Sequence, residues 1–392
     1  MVVLTVEDRL RHAQIDRFLE EYWIAQDKRA LYLEYKDVLD RVQPIDMFYI
    51  THFSDAQGLS VEEIRKLAGK LVNVFSHGFN AYVWDRDAFE MIRLLQEDNQ
   101  AIMDALLALK PKLAKDQIRS NQEAIAQFLG RMECIENKFS IMQNIVFPVM
   151  ERVLPEKKPF HVLWMVQDEL SAKRKSILEM LHQDAFSWED LIRDFGAFYY
   201  ELAGLIQKES AILFPVLSLV LDDSTNQEMV LSAEDIGFAL LKTDRSESVR
   251  EANPIDPIWI ETSTGNLTLE QFVLVMSSLP VAITYVNEDN IVTYYNEPKE
   301  RHFPRTPQAI GREVRHCHPQ KSVHIVEEII ERFRDGSRSH ARFWFDFRGR
   351  KLLVQYLAVY DKEKHYRGVL EVTEDITDIK EYTGEKRLLD WE

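Results

Sequence analysis

Between Gly311 and Phe333 the chain sets His316, Cys317, His318 and His324 close together, and Cys317 is one of only two cysteines. Imidazole and thiolate are the side chains that ligate soft or borderline metals and haem iron, so the cluster allows three chemistries. Cys317, shortly before Pro319, or His324 on a helix could serve as the axial donor to a haem. All four residues could share a small metal site. The segment could instead be structural or recognitional, beside a pocket that takes a small organic molecule or nothing. A shared metal needs ligands that converge, and in an extended segment Cys317 points away from His316 and His318 because successive side chains alternate.

The rest of the chain supplies no competing chemistry. No nucleophile–base–acid arrangement, glycine-rich phosphate loop or DNA-reading helix is present, so an enzyme acting on a small molecule in the same pocket is the least supported reading. A net charge of −17 over 392 residues excludes sequence-independent binding to nucleic acid or to an anionic membrane, which needs a basic surface. Cys134 and Cys317 lie far apart and outside any CxxC spacing, so a reducing compartment is expected rather than a disulfide framework. No run approaches the roughly 18 apolar residues of a membrane span. The expected location is the cytoplasm, without membrane insertion.

These residues need elements to position them. The apolar spacing predicts a helical N-terminal module over 1–82, with helices at Val6–Leu19 and Val61–Phe79. Ser60 and Glu63 form a capping box at the second. His52 and His77 are isolated and read as surface or packing residues. From 86 to 221 four amphipathic segments, Ala88–Leu109, Lys115–Val153, Phe160–His182 and Trp188–Val220, are separated by short breaks, which predicts an antiparallel four-helix bundle. Asn144-Ile-Val-Phe-Pro-Val-Met150 is echoed by Ala211-Ile-Leu-Phe-Pro-Val-Leu217. Each proline should kink its helix or mark its last turn.

That echo resembles the hemerythrin-like (HHE) bundle, in which histidines and carboxylates on facing helices hold two irons. Where the family reads His-His-Tyr-Ser-Arg-Lys-Glu-Asn, this chain reads Asn137-Lys-Phe-Ser-Ile-Met-Gln-Asn144, so Asn137, Lys138 and Gln143 replace two histidines and a carboxylate. Trp164-Met-Val-Gln-Asp-Glu169 is similar to Trp-Gly-Val-His-Asp-Glu, with Gln167 in the histidine slot. Glu90 and Arg93 stand where histidines are usual, Leu205 fills a further histidine slot, and a Glu-Glu pair survives as Glu209-Ser210. Carboxamides are weak substitutes for imidazole, so the resemblance implies a metal-free, degenerate bundle and no di-iron centre. The remaining acids, among them Glu97, Glu133, Glu136, Asp168, Glu169 and Glu209, are expected on a solvated face rather than in a carboxylate-only site.

Asp55-Ala-Gln-Gly-Leu-Ser-Val-Glu-Glu-Ile-Arg-Lys-Leu67 resembles a bacterial domain of unknown function, numbered 438, that precedes HHE bundles. Residues 222–266 read as a connector, with Ser232–Leu241 packed back on the bundle and a charged linker at Asp244–Pro257. Over 267–381 the pattern changes. A capped helix at Thr268–Gln271 leads to β-rich runs Val281–Val286 and Ile291–Tyr295, helical segments at Pro307–Ile310 and Ser322–Phe333, and strands Ala341–Phe347, Lys351–Tyr360 and Arg367–Ile376. This order, with the wording of Ser278-Leu-Pro-Val281, Cys317–His324 and Gly368–Ile376, resembles the PAS domain that ends the same three-part bacterial family. The resemblance implies a five-stranded antiparallel sheet around a pocket roofed by His316–Phe333, with His324 on the helix expected to face inward. It also implies sheets and flanking helices that often dimerise. Flavin photoreceptors of this fold carry a Gly-x-Asn-Cys-Arg pattern, whereas Gly311-Arg-Glu-Val314 has valine at that place.

The expected protein is thus α+β and multidomain. Its expected role is sensory or regulatory, with PAS input and output by binding a protein partner. After Asp375–Ile379 the sequence soon ends, so no kinase or cyclase output is expected.

Overall fold

The computed structural model describes residues 5–49, 61–113, 120–183, 186–241 and 258–385. The chain divides into two compact units, Met1–Arg245 and Ser246–Glu392.

The first unit is helical. Helix α1 (Val6–Ile24) is opened by a capping box in which Thr5 Oγ1 accepts from the Asp8 amide at 3.1 Å and Asp8 accepts from the Thr5 amide at 2.9 Å. Helices α2 (Lys28–Glu34) and α3 (Lys36–Leu39) follow, then a 3₁₀ turn at Pro44–Phe48. That turn is fastened to α1 by buried Asp46, which accepts from Arg11 Nε at 2.8 Å and from the Gln43 amide at 2.7 Å. Helices α4 (Val61–Val74) and α5 (Ser76–Ala81) complete the module. Gly78 lies so close to the backbone that an added Cβ would sit 2.5 Å from the Val42 carbonyl oxygen. His77 is exposed beside Asp40 at 3.3 Å. Ser60 of the expected capping box, His52, part of the 55–67 signature and the 244–257 linker lie outside the described residues.

The expected bundle helices are α6 (Glu90–Leu109), a broken run from Gln122 to Val153, α10 (Lys158–Leu181) and α11 (Trp188–Lys208) with its continuation. The broken run comprises α7 (Gln122–Arg131), a 3₁₀ turn, α8 (Ile135–Ile141), a π turn at Met142–Val146 and α9 (Phe147–Val153). A second π turn at Glu209–Leu213 leads from α11 into α12 (Phe214–Ser218). The two π turns are the structural form of the sequence echo. Each ends just before its proline, and the Phe147 and Phe214 amides reach back five residues to the carbonyls of Met142 and Glu209. Widening the turn accommodates a ring that has no N–H to give, so the helix continues past Pro148 and Pro215.

Two apolar clusters fill this unit, one within the bundle around Ile102, Phe139, Phe195 and Leu205 and one shared between the N-terminal module and the bundle. Phe18, Phe48 and Phe75 of the N-terminal module are buried in the same cluster as Leu95, Ile145, Phe147, Phe160 and Phe214 of the bundle. The Phe48 and Phe160 rings lie 5.5 Å apart. The segment after the bundle belongs to the same core: α13 (Asp223–Ile236) buries Met229, Val230 and Ala233, with Phe238 behind them. It begins well before the packed-back segment expected at Ser232, because Asp222 caps it by accepting from the Thr225 amide at 2.7 Å.

The second unit opens on a hairpin that the sequence pattern did not announce, β1 (Trp259–Thr262) and β2 (Gly265–Thr268), closed by the Thr262 hydroxyl on the Gly265 carbonyl at 2.6 Å. Helix α14 (Leu269–Ser277) carries the predicted capping box. A five-stranded antiparallel sheet follows in the order β4-β3-β7-β6-β5, built from β3 (Ala282–Asn287), β4 (Val292–Tyr295), β5 (His340–Phe347), β6 (Arg350–Tyr360) and β7 (Tyr366–Asp375). Helix α15 (Gln320–Arg334) covers one face, burying Val326, Ile330 and Phe333 against Val286 and Val369. Gly368, at φ +129°, lets β7 enter the sheet where a Cβ would sit 2.0 Å from the Val286 carbonyl oxygen. The α+β multidomain reading therefore stands, with strand boundaries displaced by a residue or so from those expected.

Candidate functional site

Two places can be tested for chemistry, the metal slots of the bundle and the covered face of the sheet. In the bundle, α8 carries Lys138 and the second π turn carries Glu209. Both are fully buried, and the Lys138 ammonium lies 3.0 Å from a Glu209 carboxylate oxygen. Glu209 thus departs from the solvated face expected for it: a charge so deeply buried needs a counterion, and Lys138 provides one. Gln143 Nε2 donates to Gln167 Oε1 at 2.9 Å, and Asn99 Nδ2 donates to Ser210 Oγ at 3.2 Å. Leu205 is buried apolar core. Glu90 and Arg93 lie at the surface, where Arg93 pairs with Glu97 at 2.7 Å. Asn137 is half-buried, 3.6 Å from the position of a Cβ added at Gly237. These residues do not fit a di-iron centre. A buried cation already neutralises the one fully buried carboxylate of the slot, and carboxamides bonded to each other occupy two ligand positions.

Asp98 has a different task, unseen in the sequence. Wholly buried on α6, it accepts from the amides of Ala239 at 3.3 Å, Leu240 at 2.8 Å and Leu241 at 3.1 Å. It therefore holds the chain leaving α13 against the bundle. No helical motif signals such a carboxylate, because its partners are backbone amides of a distant segment.

On the sheet, the four candidate residues part company. Val314–Cys317 forms a 3₁₀ turn, so the segment is not extended there. His316 and Cys317 are half-buried, with Cys317 Sγ 3.7 Å from the Glu313 carbonyl oxygen. His318 turns inward: its Nδ1 lies 2.9 Å from the Val314 carbonyl oxygen, and its ring lines a small cavity with Val286, Val369, Tyr356 and Glu371. His324, expected to face inward, is exposed. The reason is helical phase. Val326, Ile330 and Phe333 define the buried face of α15, whereas His324 lies on the stripe of Glu328 and Glu331, each exposed. Among the described residues the four do not converge as metal ligands. The only such grouping is Asp361, Glu363 and His365, where Asp361 already pairs with Arg367 at 2.9 Å.

The cavity is about 20 Å³, room for roughly one water molecule. Haem needs hundreds of cubic ångströms, so the cavity as built does not fit one.

The cavity is lined mainly by aliphatic side chains, with His318, Tyr356 and Glu371 as its polar members. Thr284 on β3, Glu371 on β7 and Tyr356 on β6 are direct cross-strand partners and share one face, with Thr373 two residues along β7. Thr284 and Thr373 are buried and their hydroxyls have no hydrogen-bond partner. Glu371 meets Arg305 at 3.4 Å. Burial lowers the His318 imidazole below its ordinary value against the opposing pull of Glu371, and raises the Tyr356 phenol above its own. Nearby Arg301, drawn down to about 10 mainly by burial, still carries its charge at neutral pH and donates to the Ile283 and Asn296 carbonyls.

A helical bundle is thus joined in sequence to an antiparallel sheet roofed by one helix. Residues 90–217 match the family of the Hemerythrin HHE cation binding domain, and residues 273–377 match a PAS domain family. The chain therefore carries a hemerythrin HHE domain followed by a PAS domain. No curated protein matches it. Among solved structures, it is similar to a C-terminal domain from Streptococcus mutans at 36% identity, covering 32% of this chain and 97% of that one, with a TM-score of 0.31. It is also similar to the PAS domain of a Colwellia psychrerythraea protein, at 19% identity over 28% of this chain and 98% of that one, TM-score 0.23. A sensory box sensor histidine kinase from Vibrio cholerae is 14% identical, over 27% of this chain and 89% of that one, TM-score 0.22. Among the described residues no helix is long and apolar enough to cross a membrane.

Proposed function

We propose that this chain is a non-enzymatic sensory protein of the cytosol in which the PAS domain takes the input, the hemerythrin-like bundle works without metal, and the output is binding to a protein partner. The observation that carries it is the buried Lys138–Glu209 pair, which occupies the metal slot with a closed pair of charges. The polar row Thr284–Glu371–Tyr356, with Glu371 and Tyr356 lining a cavity of about 20 Å³ and the Thr284 and Thr373 hydroxyls unpartnered on the same sheet face, supports an input no larger than a small polar molecule or a proton. The N-terminal module, in the role of the domain of unknown function 438, shares its core with the bundle and would move with it. Association with a second copy is supported by α14, where no residue is buried and Leu269, Val273, Leu274 and Val275 are exposed.

The test is an absorption spectrum and metal analysis of the full chain, expressed with added iron and a haem precursor. Neither a Soret band nor bound iron is the expected result. Stoichiometric non-haem iron would overturn the metal-free bundle, and a Soret band would revive the haem sensor.

A further inference from the structure

The five-stranded sheet has two edges, and they are finished differently. Strand β4, at one edge, has four residues, and its outer side is covered: the Val292 amide donates to the Arg312 carbonyl at 2.9 Å and the Gly311 amide to the Val292 carbonyl at 2.8 Å. Strand β5, at the other edge, has eight residues and pairs with β6 alone among the described residues. That pairing keeps one register from His340–Leu357 to Phe347–Arg350. Folded proteins ordinarily blunt an edge with a proline, a bulge or a short strand, and β5 has none of these.

The hairpin fixes which groups the open edge presents. The Ala358 amide donates to the Ser339 carbonyl at 2.9 Å. Bonded pairs alternate along an antiparallel ladder, so Ala341, Phe343, Phe345 and Phe347 turn their backbone groups toward β6. The two-residue turn at Arg348 (φ +49°) and Gly349 (φ +78°), which closes on a bonded pair, gives the same phase. His340, Arg342, Trp344 and Asp346 therefore point their N–H and C=O groups outward. Their side chains share one face of the strand, with Phe343 and Phe345 on the other. Trp344 is 62% exposed, and Arg342 is exposed with no ion-pair partner among the described residues.

The order of residues along this strand is self-complementary. A second β5 laid antiparallel beside the first, about a two-fold axis at Trp344, sets Arg342 opposite Asp346 twice, Phe343 opposite Phe345 twice and the two Trp344 side chains opposite each other. Outward-facing backbone meets outward-facing backbone in this register, so the ladder closes. Opposite charges and aromatic pairs in direct opposition are the contacts that stabilise a sheet. Asp346, with a side chain 79% exposed, already lies 3.2 Å from Lys351 on β6 and has room for a second cation on its other side. At the strand ends His340 meets Arg348, which adds no attraction, so the five central residues carry the register. We propose that β5 is an interface between copies of this chain, joining two sheets edge to edge in a symmetric pair. It is a different surface from α14, and neither association rests on the other. Eight residues a side is well below the roughly 20–30 of a stable interface, so the pairing is weak and concentration-dependent.

Sedimentation equilibrium of the full chain, from about 5 to 500 μM, tests it. Salt at about 0.15 M screens the mutual repulsion of copies that each carry a net charge of −17. The average mass should rise with concentration. Arg342→Glu and Asp346→Arg each set like charges opposite one another in the symmetric pair, and each should weaken association about tenfold or more. Mixing the two variants restores opposite charges at both places, so the mixture should associate as the wild type does although neither variant does alone. The double variant carrying both changes should also recover, which keeps the test open if one single variant folds poorly. Unfolding midpoints unchanged in the variants would separate lost pairing from lost folding. Association that persists in both single variants belongs to α14 or another surface and would overturn the proposal. So would a chain that stays monomeric throughout, as expected of an edge that takes an extended segment of some other protein, or a mixture that fails to recover.

Discussion

The interiors of the bundle and of the PAS sheet both hold polar groups, but they dispose of them differently. In the bundle the side chains in the metal-ligand slots meet each other, Lys138 with Glu209 as an ion pair and Gln143 with Gln167 by a hydrogen bond that leaves Gln167 Nε2 unused. In the PAS unit Thr284 and Thr373 keep unpartnered hydroxyls on the sheet face that carries the cavity-lining Tyr356 and Glu371, and burial favours the neutral forms of His318 and Tyr356. A buried ion pair resists change because separating it strands a charge, whereas hydroxyls with spare hydrogen-bonding capacity can be re-paired by an outside molecule or a proton. On the metal-free reading proposed above, the charge pair takes over the neutralising part that cations play among buried carboxylates.

The most damaging way to probe this is to break the pair. Lys138→Met leaves Glu209 buried without a counterion and should cost about 3–5 kcal/mol of stability. The double variant Lys138→Met, Glu209→Leu should recover most of that loss, since it removes both charges together. Urea unfolding followed by circular dichroism measures both. If the single variant is as stable as the wild type, the pair is not what holds the slot closed. Next in size, Asp98→Asn keeps the shape but withdraws the charge and sets an amide group against the amides of Ala239, Leu240 and Leu241. It should cost about 2 kcal/mol and speed hydrogen exchange at those three residues first. Uniform acceleration over the whole bundle would mean that Asp98 supports the core rather than the segment after α13.

Much of this organisation was legible in the chain. Hydrophobic period separated bundle from sheet, and the two Phe-Pro echoes marked paired helices, although nothing local distinguishes a π turn from a kink. Asn137, Lys138, Gln143 and Gln167 stood out in the sequence as departures from the family's metal-ligand pattern. That Lys138 would meet Glu209 could not be read, because the residues come together only when α8 and the second π turn pack. Asp98 was silent for the same reason. In the PAS unit the histidine cluster drew notice by proximity in sequence, yet the face of α15 sends His324 outward, and a 3₁₀ turn with Pro319 brings His318 in. Helical phase was available from the sequence through Val326, Ile330 and Phe333, and would have placed His324 with Glu328 and Glu331. Thr284, Glu371 and Tyr356 lie on three strands, and only the register makes them a row.

The PAS side of the comparison is sharpened by pH. His318 has a lowered value in the fold, caused first by burial and opposed by Glu371, with Arg305 and Arg312 adding to the lowering. A group lowered on folding contributes stability that is fully present above its unfolded value, near 6.5, and is lost as pH falls below that toward the folded value. The PAS unit should therefore weaken on acidification from pH 7.5 to 5.5, at a rate bounded by about 1.4 kcal/mol per pH unit for one proton. His318→Asn, which keeps a donor toward the Val314 carbonyl, should remove that part of the pH dependence. Thermal unfolding of wild type and variant at the two pH values, followed by tyrosine and tryptophan fluorescence, reads it directly. Equal slopes in the two proteins would transfer the titration to another group of the row.

The smallest expected effect belongs to His324→Ala. The residue lies on the solvent stripe of α15, and alanine is the better helix former, so stability should change by less than about 0.5 kcal/mol. The same variant should leave the pH response of the PAS unit unaltered, because no part of the cavity lining comes from that face. The informative comparison is between His324→Ala and His318→Asn under identical conditions. Two neighbouring histidines on one roof should differ in the slope of stability against pH, only the inward one carrying it. A loss of pH response in His324→Ala would place the sensitive imidazole on the solvent face and remove the polar row from the input.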